Sequence, residues 1–218
     1  QNFRKQFAEG LLGNAVVIVE GDTEMYALPV ASDALAGVEG TAYTWNSEAS
    51  FQYFGNKGLD IMRVPVKWER LQPTLDGALA PSYLDGLRRN VAWARNHNSQ
   101  VVIDLHNYGR YRANEGGVYT TYTIDNVYSG VVKVSTAHLI DVWRRLSSEF
   151  KGNPGVYAYS LMNEPHDMGT ADWKAISQAV VTAIRNDGDD TLIMVPGTGW
   201  SGAANWSGFN GPTSWITD

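Results

Sequence analysis

The sequence contains no cysteine, which removes disulfides, zinc–thiolate sites and thiol nucleophiles from consideration. No apolar stretch approaches the ~20 residues that a membrane-spanning helix requires, so no membrane partner is expected. Positive charge is scarce. Seventeen Lys and Arg stand against 23 Asp and Glu, a net charge of −6, and a nucleic-acid surface, built from clustered cations, is not expected. Neither a G-x-G-x-x-G nor a G-x-x-x-x-G-K-[ST] phosphate loop is expected, whereas a doubly wound nucleotide-binding sheet would need one after its first strand. No serine stands in a G-x-S-x-G elbow. The four histidines, His97, His106, His138 and His166, are scattered without metal-ligand spacing, so neither a metal site nor a cofactor is expected. The opening "QNFRKQFAEGLLGNAVVIVEG" places its apolar run wrongly for a signal peptide and lacks a small-residue cleavage site.

What is present describes a folded globule. Apolar residues make up 44% of the 218 and charged residues 18%, enough for one large domain with a buried core. Eight Trp and 11 Tyr supply flat faces of the kind that sugar rings stack on, and that cores also use.

From Leu59 onward strands and helices alternate. "LDIMRVPVKW" (59–68), "QVVIDLHNYGRY" (100–111), "VYAYSLMNEP" (156–165) and "TLIMVPG" (191–197) read as strands. Between them, 81–98 places Leu84, Leu87, Val91 and Ala94 on one helical face, with Pro81 in the first turn. Residues 135–150 align Leu139, Val142, Leu146 and Phe150, and "KGNP" stops that helix. Residues 170–187 align Trp173, Ile176, Val180 and Ile184, with Thr170 as the expected N-cap. A long polar and aromatic loop separates the second of these strands from the helix at 135. Upstream, "LAGVEG" (35–40) is the expected first strand and 46–58 the helix after it. "AVVIVEG" (15–21) reads as a short strand, but residues 1–34 do not follow the rhythm and are set apart as an N-terminal segment.

The strands are continuous apolar runs and not alternating ones, which means burial on both faces and a parallel sheet covered by helices. Functional-looking residues gather at strand ends: Arg63 with Trp68 and Glu69, His106-Asn107-Tyr108, Asn163-Glu164, then Trp200. That distribution favours an α/β fold of the (β/α)8 TIM-barrel type, with about five βα units over 35–218, a partial barrel.

Each residue has a plain reading beside a chemical one. Glu164, at a strand mouth walled by aromatics, is placed to donate a proton, or it is a turn residue. Asn163 bonds a substrate hydroxyl, or closes an Asx-turn. His106 is a structural hydrogen-bond partner or a catalytic group. Arg63, inside a buried strand, needs an anionic partner, and a carboxylate at the barrel mouth would supply one. Trp68, Tyr108, Tyr111 and Trp200 stack on sugars or fill the core. The set fits two-carboxylate glycoside hydrolysis best.

"MRVPVKWERLQP", "VVIDLHNYGRY", "SLMNEPHDM" and "LIMVPGTGWSGA", in order over about 36–218, resemble glycoside hydrolase family 5, in particular its endo-β-1,4-glucanases. The resemblance implies a (β/α)8 barrel, retaining hydrolysis of β-1,4-glucan polysaccharide or oligosaccharide, and secretion. It implies Glu164 as general acid/base and Asn163 as a contact to the sugar beside the cleaved bond. Arg63 and His106 support the carboxylates, and Trp200 is a sugar platform; Asn107, Tyr108 and Trp68 are assigned to substrate binding with it. The family's nucleophile lies at the end of its seventh strand, whereas this chain ends at "SWITD", where a sixth would begin. The nucleophile is therefore unknown: Glu20, Glu39, Glu69 and Glu115 stand near strand ends or loops, and none matches the family's motif. Open strand edges have three readings: a fragment, truncated before the sixth strand, whose remainder is another chain or was lost; a homodimer in which each copy closes the other's barrel; or the N-terminal segment covering one edge with its 15–21 strand. A catalytically silent carbohydrate-binding half-barrel or assembly subunit is the rival reading.

Overall fold

The computed structural model describes residues 16–17, 39–40 and 43–218. Its elements, in chain order, are β1 (Val16–Val17), α1 (Glu48–Gly55), β2 (Ile61–Val66), α2 (Trp68–Leu71) and α3 (Pro81–Asn96). Next come β3 (Gln100–Leu105), β4 (Arg110–Glu115), β5 (Val118–Thr123), β6 (Val127–Tyr128), β7 (Val131–Val132) and α4 (Thr136–Phe150). The last are β8 (Val156–Ser160), α5 (Trp173–Asn186), β9 (Leu192–Met194) and α6 (Trp206–Asn210).

Strands β1, β2, β3, β8 and β9 form one parallel sheet in that spatial order. Spatial order follows chain order without a reversal. That is the winding of a (β/α) barrel, since a doubly wound sheet turns back at a switch point. The predicted helical faces are buried: Leu84, Leu87, Val91 and Ala94 on α3, Leu139, Val142, Leu146 and Phe150 on α4, and Trp173, Ile176, Val180 and Ile184 on α5. They meet Val64, Val66, Val101, Ile103, Leu105 and Tyr159 from the sheet in one continuous core.

Pro65 sits inside β2 without breaking it. The Val66 carbonyl accepts from His106 N on the β3 side, so the neighbouring Pro65 faces the β1 side. There the described pairing covers only Ile61 and Met62, and the missing proline N–H costs no ladder bond.

Several expectations change. The strand beside β2 is Val16–Val17, not 35–40; of the latter, Glu39 makes only an isolated bridge with Tyr43, and 35–38 lie outside the described residues, as do 1–15 and 18–34. The N-cap of α5 is Asp172, not Thr170. Its carboxylate accepts from Lys174 N and Ala175 N, which a charged oxygen at a helix start does well. The loop after β3 contains two antiparallel hairpins, β4–β5 and β6–β7. Gly197, Gly199 and Gly202 do spell G-x-G-x-x-G, but after β9. They lead into a single 3-10 turn, Ala203–Asn205, and the five-residue α6, not into a long helix able to carry a pyrophosphate.

Candidate active site

The sheet ladder runs past the formal strand ends, and this aligns the site. His106 N donates to Val66 O at 2.8 Å, Asn163 N to Leu105 O at 2.7 Å, and Leu161 N to Met194 O at 3.1 Å. Consecutive strands thus present His106 and Asn163 at the C-terminal end of the sheet, the end that carries function in this winding, and Arg63 reaches Asn163 from the middle of β2.

The three side chains close a ring with a fourth, Asp104. The Arg63 guanidinium meets Asp104 Oδ2 at 2.8 Å and donates to Asn163 Oδ1 at 2.5 Å. Asn163 Nδ2 lies 3.1 Å from His106 Nε2, and His106 Nδ1 lies 2.8 Å from Asp104 Oδ2. Asp104 is fully buried, with His106 and Asn163 nearly so. Burial opposes charge on Asp104. The His106 hydrogen bond, the Arg63 charge and the Ser160 hydroxyl outweigh it and hold the carboxyl below the usual carboxylate range. Asp104 is the anion that Arg63 was expected to need. Two signals in the sequence marked it: a charge inside the apolar run "VVIDL", and its place two residues before His106, hence on the same strand face.

Glu164 follows Asn163 directly. It is half-buried, its backbone stands at φ 39, and among the described residues its carboxylate takes no hydrogen bond or ion pair. A non-glycine residue in that region is strained, and such residues gather where geometry serves function. The flanking loops share the feature: Tyr108 has φ 58, Asp167 φ 46 and Trp200 φ 58.

Two ties hold these loops. Arg110 donates to the carbonyls of Tyr108 at 2.6 Å and His166 at 2.9 Å, and Trp200 N donates to Pro165 O at 3.2 Å. The His166 ring stacks on Trp200, with centroids 4.6 Å apart and planes at 11°. Trp200 keeps 49% of its surface exposed, so it offers a platform backed by a second ring. Lys67 Nζ donates to His106 O at 2.8 Å and lies 5.2 Å from the centre of the Tyr108 ring, fixing that ring beside His106. Sequence reasoning did not single out Lys67 or Arg110, and it set His166 aside as scattered.

Two assigned contacts, Trp68 and Asn107, are corrected, and for Tyr111 the core reading holds. Trp68 is fully buried; its Nε1 donates to Gln72 Oε1 and its ring meets Tyr111 edge-on, so no face is left for a sugar. Tyr111 is buried as well, and its hydroxyl donates to Gln72 O. Asn107 spends its amide inside the protein: Oδ1 accepts from Trp68 N and Nδ2 donates to Glu69 Oε2. It positions α2 and is not free to contact substrate. The carboxylates weighed as nucleophile are engaged elsewhere. Glu39 pairs with Arg89, Glu69 with Asn107, and Glu115 with Lys133 and Tyr122; Glu20 lies outside the described residues.

Residues 23–217 match the family model described as "Cellulase (glycosyl hydrolase family 5)". The chain is 31% identical over 185 residues to Endoglucanase 1 of Robillarda sp., covering 83% of this chain and 48% of that protein. Among solved structures, endoglucanase Cel5A of Pseudomonas stutzeri, in complex with cellobiose, matches with a TM-score of 0.75 and 32% identity over 93% of this chain and 55% of that one. XacCel5A, in complex with cellopentaose, matches with a TM-score of 0.69 and 35% identity over 81% and 52%. The chain spans about half the length of these relatives.

Proposed function

The chain belongs to glycosyl hydrolase family 5, and from that premise we propose that it serves retaining hydrolysis of internal β-1,4-glucosidic bonds, with Glu164 as general acid/base. One observation carries the reading. The Arg63–Asp104–His106–Asn163 ring fixes the residue before Glu164 through its side chain and leaves the Glu164 carboxylate unengaged at a strand end. A free, rigidly mounted carboxyl can protonate the leaving glycosidic oxygen and later take a proton from water. Asn163 stands beside the sugar flanking the cleaved bond, Arg63 and His106 hold it, and Trp200 with Tyr108 supplies ring faces. Two relatives were solved with cellobiose and cellopentaose, which supports a β-glucan as ligand. Action outside the cell, and 35–218 as the barrel unit to which Val16–Val17 adds a strand, go with this proposal.

Retention requires a second carboxylate about 5–5.5 Å from the first. Glu39, Glu69 and Glu115 are held by other partners, and this favours the second reading, a glucan-binding unit that does not cleave by itself. Glu164→Gln assayed on soluble β-glucan separates the two. A fall in turnover of about 100-fold or more supports the acid/base role; turnover equal to wild type sinks it. Sugar binding without turnover in the wild-type chain supports the binding reading.

A further inference from the structure

Most of the β4–β5 hairpin lies in the long polar and aromatic stretch between β3 and α4, and neither the ring nor Glu164 uses it. Its two faces differ. Residues directly opposite are Arg110 and Thr123, Tyr111 and Tyr122, Arg112 and Thr121, Ala113 and Thr120, Asn114 and Tyr119. Side chains alternate along a strand, so Tyr111 and Tyr122 share one face while Arg110, Arg112, Asn114, Tyr119, Thr121 and Thr123 share the other. On the first face only Tyr111 and Tyr122, at the end near the site, are buried; Ala113 and Thr120 are half-buried and Glu115 and Val118 are exposed. This face is anchored by the Tyr111 hydroxyl donating to Gln72 O and by Lys133 donating to Glu115, so the hairpin is a fixed wall and not a loose flap.

The second face is half-buried to exposed. It carries hydroxyls, an amide, a guanidinium and one ring, with Arg112 seated 5.3 Å from the centre of Tyr119. It also begins at the active site. Arg110, its first residue, bonds the carbonyls of Tyr108 and His166, the latter two residues beyond Glu164, and among the described residues no carboxylate pairs with Arg110. From Arg110 to Asn114 the strip runs about 13 Å at ~3.3 Å per residue, room for roughly two more pyranose rings.

We propose that this outer face of the β4–β5 hairpin is an extended subsite that binds sugar units of a β-glucan chain remote from the cleaved bond, with Tyr119 and Arg112 as its centre. The proposal rests on the glucan reading above. Its chemistry suits a neutral polyhydroxylated ligand: donors and acceptors for hydroxyls, and an aromatic face held rigid by a cation. Its effect is selective for length, because a short oligosaccharide seated at Glu164 does not reach it.

Calorimetric titration of the 218-residue chain with cellotriose and with cellohexaose tests it. The expected wild-type result is tighter binding of cellohexaose. Tyr119→Ala, and separately Arg112→Ala, should each weaken cellohexaose roughly 5- to 10-fold and leave cellotriose unchanged. Tyr119→Phe keeps the ring and should keep the length preference, which guards against a variant that merely loosens the hairpin. An unchanged cellohexaose-to-cellotriose ratio in both alanine variants overturns the subsite while the glucan reading stands. So does equal weakening of both sugars. If the wild-type chain binds neither sugar, the glucan reading falls and the subsite with it.

Discussion

Asn163 has one amide orientation open to it. The Arg63 guanidinium can only donate, so it must face Oδ1, and Nδ2 must then donate to His106 Nε2. His106 thus faces Asn163 with Nε2 and Asp104 with Nδ1. Every side chain in the ring is thereby oriented by the fixed charge pattern of Arg63 and Asp104. Asp104→Asn would leave Arg63 in a mostly buried place without its anion, an expected loss of about 3–5 kcal/mol. The pH dependence follows the sign of the shift. The folded-state value of Asp104 is below the unfolded one, so its contribution is complete above the ordinary carboxylate range. It is lost as pH falls through the lower folded value. Urea denaturation of both proteins should show a gap that is constant from neutral pH down to about pH 5 and closes in stronger acid. A gap that persists unchanged in strong acid would refute the assignment. The two tryptophans at strand ends should also part company. Trp68→Ala empties a fully buried site and should cost about 3–5 kcal/mol. Trp200→Ala should shift unfolding by about 1 kcal/mol or less while weakening glucan binding. Thermal melts and oligosaccharide titrations distinguish them.

At the scale of elements, Gly86 in the middle of α3 inverts a common rule. Replacing a mid-helix glycine by alanine ordinarily stabilises by ~1 kcal/mol. Here a Cβ would fall 2.0 Å from Trp45 Nε1, because the indole lies against the helix backbone. Gly86→Ala should therefore destabilise by about 1–3 kcal/mol, read from the urea midpoint; a stabilised variant would contradict this packing. The alternating sheet strands and long helices from 59 onward are legible because each of α3, α4 and α5 shows a single apolar stripe and each sheet strand a mostly apolar run. The hairpins were legible too, and were missed. Gly116-Gly117 and Ser129-Gly130, all at positive φ, are two-residue hairpin turns of the primed kind. The true N-cap of α5 was hidden because Thr170 and Asp172 are both good caps, and only the fold decides which side chain reaches the free N–H groups. Trp68 looked like a platform because a strand end cannot reveal which way an indole turns. Asp104 is harder to read as the partner of Arg63, because a mouth carboxylate is the obvious candidate and Asp104 stands one strand away in the sheet itself.

For the whole molecule, the described sheet has β9 on one flank, and among the described residues it pairs only with β8. Met194 O accepts from Leu161 N, so Leu192 and Met194 direct their backbone groups to β8, and Ile193 between them directs its N–H and C=O outward. An unpaired parallel edge is a template for another strand, and Leu192 beside it is 48% exposed. The edge gives the homodimer reading a definite form: two copies meeting through β9. Light scattering at rising micromolar concentration should then show mass climbing from 24.0 kDa toward twice that value. Ile193→Pro removes an N–H that points away from β8, so it should abolish the association and leave the β8–β9 pairing intact. A chain that stays monomeric at every concentration removes β9 as a homodimer contact. A dimer unaffected by Ile193→Pro places the contact on another surface.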